Sequence, residues 1–176
     1  IGAGNGKSLS FLQENIESSS RITPYAIEKS NRLLKELPND VFIIGSDVHE
    51  QSLYDKKIDL TFCNTPYSEF ERWVAKIVTE SVSQFVYLVI PQRWRNSKLI
   101  AQAFEGRSID INDDDSNYFD VVGSFDFQSS EDRTARAKVD ILFIQLERIG
   151  GDPFTRFFDT EFSELCDKFE SSLPSF

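Results

Sequence analysis

The sequence predicts an α/β domain whose mostly parallel sheet closes in an antiparallel hairpin. Apolar runs of strand character alternate with helical runs along most of the chain. One run, residues 85–90, is apolar at almost every position, which suits a strand covered by helices on both faces. The last two apolar runs are joined only by a loop, so they are expected to pair antiparallel.

The elements follow in order. Residues 7–18 read as a helix, with Leu9, Leu12 and Ile16 on one face. Residues 22–27 form a short strand that ends at Glu28, and residues 30–37 a helix stopped by Pro38. Strands are expected at 41–44, ending near Asp47, and at 58–62, ending at Cys63-Asn64. Helix 68–82, strand 85–90 and a short helix at 98–104 come next. Residues 121–127 and 139–146 are the hairpin strands, and the acidic stretch 110–120 is a polar connection ahead of them. Residues 1–149 read as the core domain. Gly150-Gly151-Asp152-Pro153 breaks the chain. A C-terminal extension over 150–176 follows, expected to be helical, with Phe162, Leu165, Cys166 and Phe169 on one side.

Composition bounds the function. A chain of 176 residues can bury one real core. It starts at Ile1 without methionine or a signal-peptide pattern, so the natural protein is expected to extend further toward its N-terminus. No run approaches the roughly 20 apolar residues needed to span a bilayer. Cys63 and Cys166 stand far apart and read as reduced thiols of a cytoplasmic protein. With one histidine, His49, no metal site is expected. The net charge of −10 argues, on its face, against a nucleic-acid partner.

The chain opens on a glycine loop, Ile1-Gly2-Ala3-Gly4-Asn5-Gly6-Lys7-Ser8. A phosphate-binding P-loop would need a glycine where Ile1 stands. A dinucleotide fingerprint would need one where Lys7 stands. The spacing present is Gly-x-Gly-x-Gly, which resembles the first motif of class I S-adenosylmethionine-dependent methyltransferases. A second motif, Asn64-Thr65-Pro66-Tyr67, lies between an apolar strand and a helix. It resembles the Asn-Pro-Pro-Tyr motif of methyltransferases that act on exocyclic or amide nitrogen. Their acceptors are chiefly adenine N6 and, in one branch, a protein glutamine. Thr65 replaces the usual first proline; it keeps the main-chain carbonyl but does not fix φ.

The resemblance implies a Rossmann-like class I methyltransferase fold with a seven-stranded sheet, its first strand upstream of Ile1. It implies S-adenosyl-L-methionine as cofactor, bound by Gly2, Ala3, Gly4, Gly6, Glu28, Asp47 and Asn64. Glu28 matches the carboxylate for the ribose hydroxyls and Asp47 the contact to the cofactor's adenine amine. It implies catalytic roles for Asn64, Thr65, Pro66 and Tyr67. The chemistry accounts for these residue types. The lone pair of an amide-like amine is delocalised, so the amine is a poor nucleophile. The Asn64 side-chain oxygen and the Thr65 carbonyl can accept its two N–H groups and aim the lone pair at the methyl group. Tyr67 offers a flat face for a flipped base.

Basic residues cluster where this fold puts its catalytic end: Arg93, Arg95 and Lys98 after strand 85–90, and Arg133, Arg136 and Lys138 in the hairpin loop. The acidic run at Asp113-Asp114-Asp115 is expected at the opposite end. With Trp94 between two arginines, that face would suit a nucleic-acid backbone and a stacked base. The leading expectation is therefore adenine N6 methylation in DNA. Protein glutamine methylation resembles the motif equally well and sits more easily with an acidic chain. A third reading is an inactive relative that docks a protein partner through its Phe-rich C-terminal segment, 154–169.

Overall fold

The computed structural model describes residues 1–15, 22–112, 118–126 and 137–146. Residues Ile1–Leu146 form one compact unit. The expected C-terminal extension over 150–176, its Phe-rich segment included, lies outside the described residues, as do Cys166 and the acidic run 113–115.

The elements are α1 (Lys7–Asn15), β1 (Tyr25–Ile27), α2 (Asn31–Leu34), β2 (Phe42–Gly45), β3 (Leu60–Asn64), α3 (Phe70–Glu80), β4 (Phe85–Pro91), α4 (Lys98–Glu105), β5 (Phe119–Asp126) and β6 (Lys138–Gln145). Two 3-10 turns, Val48–Glu50 and Gln92–Asn96, were not predicted. Helix α2 is half the expected length. After Leu34 the Lys35 N–H bonds back to the Arg32 carbonyl, which tightens the chain into a turn before Pro38. Helix α3 starts at Phe70 rather than 68, because the Glu69 N–H turns back to the Pro66 carbonyl at 3.0 Å.

β3 and β4 run parallel, with Leu60 opposite Phe85 and Asn64 opposite Val89. β6 lies antiparallel between β4 and β5, so the order is β3-β4-β6-β5 and the expected hairpin is present. Helices α3 and α4 cover one face. Phe70, Val74, Ile77 and Val78 of α3 recur at helical spacing and are buried. They meet Val86, Leu88, Ile90, Leu142 and Ile144, all fully buried. Each such side chain contributes about 1.5–3 kcal/mol through burial. Arg107 closes this layer by donating to the carbonyls of Val78, Thr79 and Ser81 at the C-terminal end of α3.

β1 and β2 pair parallel but form a separate two-stranded sheet. The six described strands therefore make two sheets where one of seven strands was expected. The seam between β1 and β3 is bridged by single hydrogen bonds. The Ile1 amino group donates to the Phe62 carbonyl at 2.7 Å, and the Gly2 N–H donates to the Ile27 carbonyl at 2.8 Å. The glycine loop thus enters along the line between the two sheets. Among the described residues no helix is long and apolar enough to cross a membrane.

Candidate functional site

The glycine loop lies against the end of β1. Gly2, Gly4 and Gly6 all have positive φ, at 65°, 59° and 82°. Only Gly2 of the three faces the cleft described below. A Cβ at Gly2 would stand 3.4 Å from the Trp73 ring, in ordinary contact, so the ring lies close to this backbone and it is the positive φ that calls for glycine. Gly6 serves packing instead: a Cβ there would come within 2.7 Å of the Pro38 ring. Gly4 and Ala3 act through their amides. The Ala3 N–H donates to the Ile27 carbonyl at 3.3 Å, and the Gly4 N–H donates to Glu28 Oε2 at 2.8 Å.

Glu28 follows β1 directly and is 8% exposed. Its second oxygen accepts the Ser30 N–H at 2.8 Å. One carboxylate therefore holds the glycine loop and the start of α2 together, and each oxygen keeps capacity for a further hydrogen bond. Asp47 caps the 3-10 turn after β2. Its Oδ1 accepts from the His49 N–H at 2.9 Å and its Oδ2 pairs with Lys29 Nζ at 2.8 Å. The Lys29 hydrogen bond, then that from the His49 backbone, lowers the Asp47 pKa, and the same pair raises that of Lys29.

Asn64 is the last residue of β3, where the chain leaves the sheet. Thr65 is buried, and both its N–H and its hydroxyl donate to the Val89 carbonyl, each at 3.2 Å. The expected loss of rigidity at this position is thereby offset: the side chain supplies an anchor on β4 that proline cannot make. Cys63, just before, is a buried free thiol whose pKa burial pushes up to about 11. It is inert at neutral pH. Tyr67 lines the cleft, its carbonyl accepts from the Arg93 guanidinium, and its hydroxyl is buried without a partner among the described residues.

These parts enclose one cleft of about 800 Å³, within the range of small-molecule sites. Gly2, Glu28 and Asp47 line it together with Asn64, Thr65, Pro66 and Tyr67. Ser46, Lys29, Glu69 and Trp73 also line it, and sequence reasoning missed all four. Trp73 is half-buried, meets His49 edge-on at 6.0 Å and directs Nε1 to Glu69 Oε2 at 3.4 Å. The available signal was helical phase, since Trp73 stands one turn beyond Glu69 in the helix that follows the acceptor loop.

Of the expected nucleic-acid face, Trp94 is the member that the structure turns inward, while Arg93, Arg95 and Lys98 stay exposed. Trp94 is 3% exposed and packs edge-on against Phe104 and Phe119, so it presents no surface for a base. Its Nε1 donates to Asp140 Oδ2 at 2.9 Å. Asp140, fully buried on β6, also accepts from Gln92, Ser124 and the Arg95 guanidinium. Arg95 is thus committed to an ion pair and to the Trp94 ring, 4.9 Å away. Arg93 remains exposed, over the Phe70 ring at 5.0 Å. Arg133 and Arg136 lie outside the described residues. Among those described, no cluster of histidine, cysteine and carboxylate side chains could hold a metal ion.

No protein-family model matches the sequence, and no curated protein matches it significantly. Solved structures do match. The chain is similar to one from the E. cuniculi Mtq2-Trm112 complex, responsible for the methylation of the eRF1 translation termination factor. That match has a TM-score of 0.54 and 12% identity, over 82% of this chain and 81% of that one. It is also similar to a methyltransferase-like structure from Thermoplasma acidophilum, with a TM-score of 0.50 and 14% identity, over 85% of this chain and 66% of that one. The chain has the Rossmann-like class I methyltransferase fold.

Proposed function

We propose that the chain is an S-adenosylmethionine-dependent methyltransferase acting on a planar, conjugated nitrogen. The observation that carries this reading is the cleft lined by Gly2, Glu28 and Asp47 together with Asn64, Thr65, Pro66 and Tyr67. The residues fit the cofactor. Gly2, at positive φ, brings backbone to the cleft beside Trp73, Glu28 lines it with one hydrogen bond accepted at each oxygen, and the buried Tyr67 hydroxyl lacks a partner among the described residues. The acidic side chains Glu28, Asp47 and Glu69 outnumber Lys29 in the lining, which suits a cationic sulfonium.

When bound, the cofactor supplies an electrophilic methyl group. The protein holds the acceptor. The Asn64 side-chain oxygen and the Thr65 carbonyl accept the two N–H groups of the amine, which localises electron density on nitrogen. The Thr65 anchor on Val89 keeps that carbonyl in place. Positioning of this kind can supply a large part of a rate enhancement.

Among acceptors, the geometry favours a side-chain amide of a protein, of which glutamine is the case the motif resembles. Burial of Trp94 removes one support for a nucleic acid, and pairing with Asp140 partly neutralises another, the half-exposed Arg95. Adenine N6 in DNA is the second reading, favoured by exposed Arg93 beside the acceptor loop. Labelled methyl transfer tests both, with DNA digested to nucleosides and protein acceptors hydrolysed to amino acids. Label in methylglutamine is the expected result; label in N6-methyladenine would replace it with the second reading. Asn64→Ala is expected to lower transfer by more than about 100-fold, while calorimetry still records cofactor binding, weakened by the loss of the Asn64 contact but retained through the glycine loop, Glu28 and Asp47. Lost cofactor binding in that variant would mean the site is misassigned.

A further inference from the structure

We propose that Trp73 is the stacking platform for the adenine ring of the methyl donor; this rests on the cofactor reading above. Three contacts fix the ring. Its six-membered portion lies over the Gly2 backbone, close enough that a Cβ there would touch it at 3.4 Å. His49, from the turn capped by Asp47, meets it edge-on at 6.0 Å and 89°. Glu69, one helical turn earlier, accepts its Nε1 at 3.4 Å. The ring is therefore held between the glycine loop and the Asp47 turn, with its remaining surface on the cleft.

That placement selects the occupant. Among the parts of the donor, only adenine offers an extended flat face to match an indole. Stacking of a base on an aromatic side chain is sequence-independent chemistry and contributes substantially to affinity. Trp73 is the one aromatic ring shared by the cleft and both backbone turns that flank it.

The chain has two tryptophans, and Trp94 is buried in the core with its Nε1 on Asp140. Indole emission thus reports on Trp73 over a constant background. Titration of the full chain with S-adenosylhomocysteine is expected to quench emission. Adenosine is expected to quench the same component, and methionine is not. Trp73→Phe should abolish the quench yet bind within a few-fold of the parent by calorimetry. Trp73→Leu should bind about tenfold or more weakly. Should Trp73→Leu fail to fold, the adenosine and Trp73→Phe measurements decide. The proposal is overturned if quenching persists in Trp73→Phe, if adenosine leaves emission unchanged, or if a folded Trp73→Leu binds like the parent. Absence of any calorimetric binding by the parent chain would overturn the cofactor reading as well, which distinguishes the two failures.

Discussion

Thr65 departs from the motif it stands in, and its hydroxyl explains how the departure is accommodated. Proline would fix φ but could offer neither of the two donors that now meet the Val89 carbonyl. Thr65→Val keeps the shape and the N–H bond and removes the hydroxyl. Denaturant unfolding is expected to record a loss of about 1 kcal/mol, the usual net value of a buried hydrogen bond. Residues at strand ends were legible in the sequence. Glu28, Asp47 and Asn64 each follow an apolar run, and a run's boundary fixes where the chain leaves the sheet. Trp94 was misread for a physical reason. Two flanking arginines suggest surface, but the 3-10 turn at Gln92–Asn96 rotates the indole inward to the buried Asp140 carboxylate. Trp73 was missed because its helical phase only aligns it with Glu69; that Glu69 itself lines the cleft is set by packing across the sheet.

Among elements, the clamp between β1 and the glycine loop is the most exposed to a single change. Glu28 holds Gly4 on one oxygen and Ser30 on the other. Glu28→Gln replaces one acceptor by a donor, so one of these N–H groups must face an NH2. A hydrogen bond to a charged group contributes about 1.5–3 kcal/mol. Faster amide exchange at Gly4 or Ser30 is expected in the ligand-free variant, with cofactor affinity reduced on the order of tenfold. Protection equal to the parent's at both amides would refute the clamp. The strands were legible to within one to three residues at their ends, and the antiparallel pairing of the last two was legible as well, because period and apolar runs are local signals. The division into two sheets was not, since it depends on which strand edges meet.

For the whole molecule, Asp140 couples stability to pH. Burial would raise its pKa, but hydrogen bonds from Ser124, Trp94, Gln92 and Arg95 outweigh that and leave it lowered. A carboxylate with a depressed folded pKa stabilises the protein above its unfolded value, near 3.9 for aspartate, and loses that contribution as pH falls through the folded value. Urea midpoints measured from pH 7 to pH 2 should therefore drop below about pH 4. Asp140→Asn should be less stable at pH 7 and show a shallower acid limb; an unchanged limb would remove Asp140 from this role. The seam between the two sheets has a consequence of its own. Glu28 and Asp47 belong to the two-stranded side and Asn64 to Tyr67 to the four-stranded side. A ligand held by both sides acts as a rivet, and linkage makes the effect reciprocal. Whatever loosens the two-stranded sheet from the four-stranded one must weaken the grip on that ligand, even when every residue of the acceptor loop is left as it was.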